Sequence, residues 1–92
     1  MRKITTATAG AFEARRKLTQ GNTHTDGQAL YLHGNKIAEW RGAELWITLA
    51  GWPTVTTRER LNGLRGVSVS QRAGVQQLNG EAWSGDWHRV NV

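Results

Sequence analysis

The sequence predicts an α+β fold: a small antiparallel sheet, made of a three-stranded meander and a C-terminal hairpin, with an N-terminal helix and a short second helix. The predicted order is α-β-β-β-α-β-β. Three observations predict it. Residues 28–49 alternate aliphatic with polar or aromatic side chains at a period of two, as strands do. Eleven glycines punctuate the chain and suit tight turns. The connections between the alternating runs are too short for the crossovers that parallel strands need.

Ninety-two residues predict one domain, 1–92. A chain this small buries only about 60–65% of its unfolded surface, so a thin core is expected. Five tryptophans, Trp40, Trp46, Trp52, Trp83 and Trp87, supply bulk that no disulfide supplies, because the chain has no cysteine. The alternative for one or two of them is exposure for stacking. Arg2 and Lys3 follow Met1, but no run of about 7–15 apolar residues follows them, so no signal peptide is expected. No stretch approaches the ~20 apolar residues of a membrane span.

Residues 1–20 form the first unit, an amphipathic helix with a basic tail. Ile4, Ala7, Ala11 and Phe12 share one face at helical spacing, and Thr5 or Thr6 is the expected cap. Arg15 would fall on the apolar face, so the helix should end near Ala14 and leave Arg15-Arg16-Lys17 as its tail. Such a tail either binds an anionic partner or merely complements the helix macrodipole. Gly21 to Gly27 reads as a loop.

The meander, 28–49, turns at Gly34-Asn35. A second, three-residue loop is expected at Arg41-Gly42-Ala43. A two-residue loop at Gly42-Ala43 would mix the faces, since a one-residue slip moves every side chain across the sheet. One face then carries Leu30, Leu32, Ile37, Leu45, Ile47 and Leu49, with Glu39 as a misfit. The other carries Tyr31, His33, Lys36, Trp40, Trp46 and Thr48. The helix should cover the aliphatic face and leave the aromatic one open.

Trp52-Pro53 forces an extended turn. Thr56-Thr57-Arg58-Glu59 has the pattern of a capping box, so a short helix is expected over 56–63, with Thr56 as its N-cap and Asn62-Gly63 as its stop. Arg58, Arg60 and Arg65 should point outward, because a fully buried arginine is rare without a partner. They form either an anion-binding edge or ordinary helix solvation. The C-terminal strands occupy 67–92. A hairpin turns at Ala73-Gly74 with Val69 facing Leu78, Asn79-Gly80 turns again, and Val90 and Val92 are candidates for a last strand.

Three segments, LHGNKIA (32–38), AGWPTVTTRERLNGL (50–64) and LNGEAWSGDW (78–87), resemble small proteins encoded by phages, prophages and mobile plasmids. The resemblance spans about residues 30–90 and leaves out the basic N-terminal segment. It implies an accessory role in phage or mobile-element biology, in the cytoplasm of a bacterial host, and assigns no catalytic residue.

The chemistry of an enzyme is not legible. His24, His33 and His88 lie far apart with no second ligand at metal spacing, and no cofactor motif is present. Glu59 is reserved for capping, and Asp26, Glu81 and Asp86 lie in or beside turns. Ser84, Asp86 and His88 make a triad only if the Gly85 turn happens to align them. A non-enzymatic binding protein without metal or cofactor is the expectation. The net charge of +5, with nine arginines against three lysines, favours an acidic partner. Nucleic acid is the first reading: phosphates held by Arg15, Arg16, Lys17, Arg58, Arg60 and Arg65, and bases stacked on Tyr31, Trp40 or Trp46, with Lys36 as a further binding residue on the same face. A protein-binding inhibitor of host machinery, in counter-defence, is the second. It would use the same aromatic face, because Trp, Tyr and Arg are the usual hot-spot residues. A small structural phage protein is the third.

Overall fold

Two helices pack on one side of an antiparallel sheet in the computed structural model, which describes residues 2–90. The elements are α1 (Lys3–Glu13), β1 (Lys17–Gln20), β2 (Thr23–Asp26), β3 (Ala29–Leu32), β4 (Asn35–Arg41), β5 (Glu44–Ile47), α2 (Val55–Leu61), β6 (Val69–Arg72), β7 (Val75–Leu78), β8 (Glu81–Ala82) and β9 (His88–Val90). The fold is α+β with antiparallel sheets, as expected. One sheet has six strands in the order β1-β2-β3-β4-β5-β9, and a smaller one is β6-β7-β8. Among the described residues, no helix is long and apolar enough to cross a membrane.

The main difference from expectation lies before the meander. Residues 21–27 are not a loop. Gly21-Asn22 is the turn of a β1–β2 hairpin, and the basic tail of α1 runs into β1. The reason is chemical. The sheet's inner face here is made of Thr23 and Thr25, whose hydroxyls are bonded internally, so hydropathy shows no strand. Threonine favours strands all the same. At the next turn Asp26 accepts hydrogen bonds from the N–H groups of Gln28 and Ala29. These hold its carboxyl below the ordinary range. Gly27 sits against the Arg15 carbonyl, where an added Cβ would stand 2.7 Å from the oxygen.

The meander forms, but its register differs twice. The first turn is His33-Gly34, with Leu32 opposite Asn35 and both turn residues at positive φ. The second is the two-residue turn Gly42-Ala43, with Arg41 opposite Glu44. A β-bulge reconciles the two. Tyr31 pairs with Lys36 and Leu30 with Ala38, so Ile37 is an extra residue in β4. Two residues there oppose one, as bulges allow. Ile37 and Ala38 are both buried, and the parity of β4 changes beyond them. Leu30, Leu32, Ile37, Leu45, Ile47 and Leu49 are all buried, as the sequence indicated. Glu39 moves to the outer face opposite Trp46, and Trp40 moves to the core side opposite Leu45. Phe12, fully buried, anchors α1 on this core.

The helix ends also differ. α1 begins at Lys3 with Arg2 at its N-cap and no side-chain cap, so neither Thr5 nor Thr6 serves there. α2 begins at Val55, and its N-cap is Thr54, whose hydroxyl accepts from the Thr57 N–H at 3.1 Å. Thr56 is not the cap, and Glu59 does not close a capping box. The stop is as read: Asn62 follows the last helical residue and braces β6 through two hydrogen bonds with Val69. Downstream, Ala73-Gly74 makes the expected hairpin with Val69 opposite Leu78. β8 adds a third strand, and β9 returns to pair with β5 rather than extending the hairpin. Val92 lies outside the described residues.

Arg60 and Glu59 join the layers. Arg60, only 2% exposed, donates from Nε to Thr23 on β2 and from Nη1 to Thr5 on α1, each at 2.9 Å, and pairs with Glu59. The Thr5 hydroxyl donates in turn to Glu59. Burial pushes the Glu59 carboxyl up, but the Thr5 hydroxyl, the Arg2 N–H and Arg60 together outweigh it and hold the carboxyl below its ordinary value. Gly63 lets the helices approach, since a Cβ there would stand 2.6 Å from Thr5 Cγ2.

Two outcomes follow for stability. Thr54→Ala should cost about 0.5–2 kcal/mol in urea unfolding, whereas Thr56→Ala should cost less than about 0.5 kcal/mol; the reverse order would restore Thr56 as the cap. A carboxyl held low in the folded state stabilises above its unfolded pKa, about 4.3, and that contribution fades as pH falls through the folded value. Glu59→Gln should therefore cost more at pH 7 than at pH 3, and an offset that does not vary with pH would show that Glu59 is not linked to folding in this way.

Candidate functional site

The face of the six-stranded sheet turned away from the helices is the most developed surface. Strand alternation places His24, Tyr31 and Lys36 across β2, β3 and β4, and Glu39, Trp46 and Arg89 across β4, β5 and β9. The His24 and Tyr31 rings stack with centroids 4.6 Å apart and planes within 10°. The Arg41 guanidinium lies 4.2 Å from the Trp46 ring centroid and 5.1 Å from that of Trp87. Both distances suit cation–π attraction.

The charges on this face are largely neutralised by one another. Lys36 and Arg41 both bridge to Glu39, at 3.2 and 2.6 Å. Arg89 bridges to Glu44 at 2.9 Å. The Arg41 hydrogen bond leads in holding the Glu39 carboxyl low, with Lys36 adding to it against partial burial. Arg89 leads for Glu44, and the Trp46 indole N–H also donates to it. Lys17 stands across from Asp26 at the β1–β2 side of the same face. A surface of this kind carries aromatic faces and fixed ion pairs with little surplus positive charge.

The model of the family described as Kyanoviridae Gp96 protein matches residues 1–90. The chain belongs to this phage protein family. The match takes in α1 and the basic segment after it, which lie outside the sequence resemblance noted above. No curated protein and no solved structure matches the chain.

The Gp96 fold divides the ten residues singled out in the sequence. Tyr31, Lys36 and Trp46 do share the outer face. Trp40 does not. It stacks on Phe12 with centroids 5.3 Å apart, donates its indole N–H to the Phe12 carbonyl at 3.0 Å, and packs against the core. The β4 bulge put it there. Arg15 covers its other side, 4.4 Å from the ring, and donates to the Gly42 carbonyl. Arg15 is therefore a clamp on Trp40 in a left-handed turn residue, at φ 60°, rather than part of a helical tail. Arg60 is buried, not outward, because it has the partners that an inward arginine needs. Arg58 donates to the Pro53 carbonyl and to Gln76, tying α2 to its preceding loop and to β7. Arg16, Lys17 and Arg65 are exposed. Arg65 lies with Glu13 and Leu45 around the edge of Trp40, near Arg15.

In this Gp96-family protein Arg15 and Arg65 gather around Trp40, away from the aromatic face, whereas Lys17 lies on that face opposite Asp26. His24, Arg41, Trp87 and Arg89 complete the outer face and were not singled out from the sequence. Strict alternation back from Trp46 through the true Gly42-Ala43 turn would have found Arg41, whereas Arg89 reaches the face only through the long-range pairing of β9 with β5. Trp87 and His24 lie in segments whose course the sequence did not give. Among the described residues, no three His, Cys, Asp or Glu side chains group as they would around a metal ion.

The two central tryptophans should respond differently to truncation. Trp40→Ala should destabilise by about 3 kcal/mol, at the low end for a core aromatic because one side is covered only by Arg15. Trp46→Ala should cost about 1 kcal/mol or less, the order of an exposed cation–π contact. Equal losses in thermal or urea unfolding would contradict the assignment of the two residues to opposite faces.

Proposed function

We propose that the protein is a non-enzymatic phage accessory protein that acts in the bacterial host by binding a protein partner through the outer face of its six-stranded sheet. The observation carrying this reading is the Arg41–Trp46–Trp87 cluster beside the His24–Tyr31 stack, on a face that no element among the described residues covers. Trp, Tyr and Arg dominate interface hot spots, and their rigid aromatic area can be desolvated at low entropic cost. The pairing of Lys36, Arg41 and Arg89 with Glu39 and Glu44 favours a protein over a polyphosphate. Nucleic acid rewards surplus cations that release counterions, and these cations already have carboxylate partners. Inhibition of a host defence or housekeeping complex is the activity such a surface suits.

The test uses a photo-crosslinking residue placed at Trp46, at Arg41 and, as a control, at Arg72 on the small sheet, in infected host cells. One protein should be captured from the first two positions and not from the third. Charge reversal at Arg89 together with Trp46→Ala should weaken binding to that purified protein by at least about 2 kcal/mol, the hot-spot scale. Single-stranded DNA and RNA should bind weakly at low salt, with no dependence on Trp46. Tight binding that Trp46→Ala reduces tenfold, or that substitution of Arg16, Lys17 and Arg65 abolishes, would instead make nucleic acid the partner.

A further inference from the structure

A cavity of about 370 Å³ opens on the other side of the sheet, where the β3–β4 turn meets the loop between β5 and α2. Its floor is Leu32, Ile37 and Leu49, its side wall is Trp52, and Asn35 and Thr56 stand at its rim. It shares none of the outer-face residues named above, so it is independent of the interface reading.

Three features make it a built site. First, its walls are held from both ends. Thr48 Oγ1 and the Leu49 N–H both donate to the Gly85 carbonyl at 2.8 Å, Thr54 caps α2, and Arg58 grips the Pro53 carbonyl. Ligand sites are usually preformed in this way. Second, Trp52 is exposed in a manner that folding does not explain. It is 58% exposed, while Trp40, Trp46 and Trp83 are half-buried with their indole N–H groups bonded to protein acceptors. Beside it Ala50 holds φ at 55°, a left-handed conformation that an L side chain resists. Third, no lysine, arginine, aspartate or glutamate lines the cavity, in a chain with twelve basic and seven acidic residues, and the exposed imidazole of His33 is its one ionisable lining group.

The lack of a fixed charge selects the ligand. A phosphate or carboxylate would lose its hydration here and meet only the exposed His33 imidazole, and an ammonium group would meet no carboxylate. The volume lies in the range of roughly 300–1,000 Å³ that holds a whole small molecule, more than a single inserted side chain requires. We infer that this cavity binds a small, flat, uncharged molecule, stacked on Trp52 over the aliphatic floor and oriented by a hydrogen bond to Asn35 or Thr56.

The experiment titrates the full-length, nitrogen-labelled protein with indole, which is flat and neutral with one N–H donor, and separately with indole-3-acetate, its charged counterpart. Indole should shift the amide signals of Leu49, Ala50, Trp52 and Thr56 saturably, and indole-3-acetate should bind at least tenfold more weakly. Trp52→Ala should lower indole affinity at least tenfold, Trp52→Phe should restore most of it, and Trp46→Ala should leave it unchanged. Shifts that do not saturate, shifts centred on the outer face, equal binding of the two probes, or full affinity in Trp52→Ala would each overturn the inference. Because Trp46→Ala disables only the outer face, loss of the protein partner with retained indole binding would separate the two sites.

Discussion

A buried guanidinium governs how the layers of this protein meet. Arg60 takes a positive charge into the interior, where an unpaired ion would cost several kcal/mol. The geometry that satisfies it is demanding: α1 must bring Thr5, β2 must bring Thr23, and α2 must bring Glu59 to the same place. Apolar packing alone would let short helices slide over a sheet, because it has little directionality. The hydrogen bonds of a planar guanidinium do not permit that sliding. With α1 fixed, Phe12 meets Trp40, and Arg15 closes over the outer side of that indole. Gly63 is part of the same constraint, since the helices touch where its side chain would be.

The threonines have a related role. Thr5, Thr8, Thr23, Thr25 and Thr57 are buried, and their hydroxyls are engaged with backbone or side-chain partners. They let a thin core include polar groups without leaving any unsatisfied, which the interior requires. The aromatic mass is placed accordingly. Trp40 and Trp83 pack against the core, Trp46 and Trp87 flank Arg41 on the outer face, and Trp52 stands at the cavity mouth. The five tryptophans thus serve three environments rather than one.

Aliphatic alternation made the centre of the fold legible. Leu30, Leu32, Ile37, Leu45, Ile47 and Leu49 could be assigned to one face, and that face is the core. The Ala73-Gly74 hairpin and the Asn62-Gly63 stop followed from turn chemistry. β1 and β2 were not legible, because threonine in a satisfied interior looks like threonine in a loop. The bulge at Ile37 was hidden as well: two adjacent apolar residues, Ile37 and Ala38, are its only trace. That one extra residue changed the placement of Glu39 and Trp40 and with it the composition of the candidate interface. Arg60 was misplaced for the opposite reason. Its partners come from positions 37 and 55 residues away, so no local pattern reveals them.

The order of strands in the larger sheet bears on how the chain becomes this shape. From β1 to β5 every strand pairs with its neighbour in sequence, through turns of two residues in most cases. Such pairings close small loops and form quickly. β9 is different. It reaches β5 only after α2 and the whole of the small sheet have intervened, and it supplies the sixth strand. A nascent polypeptide can therefore lay down five strands in the order of synthesis, while β5 keeps an open edge until residues 88–90 arrive. Completion of the sheet therefore waits on residues that follow both α2 and the small sheet.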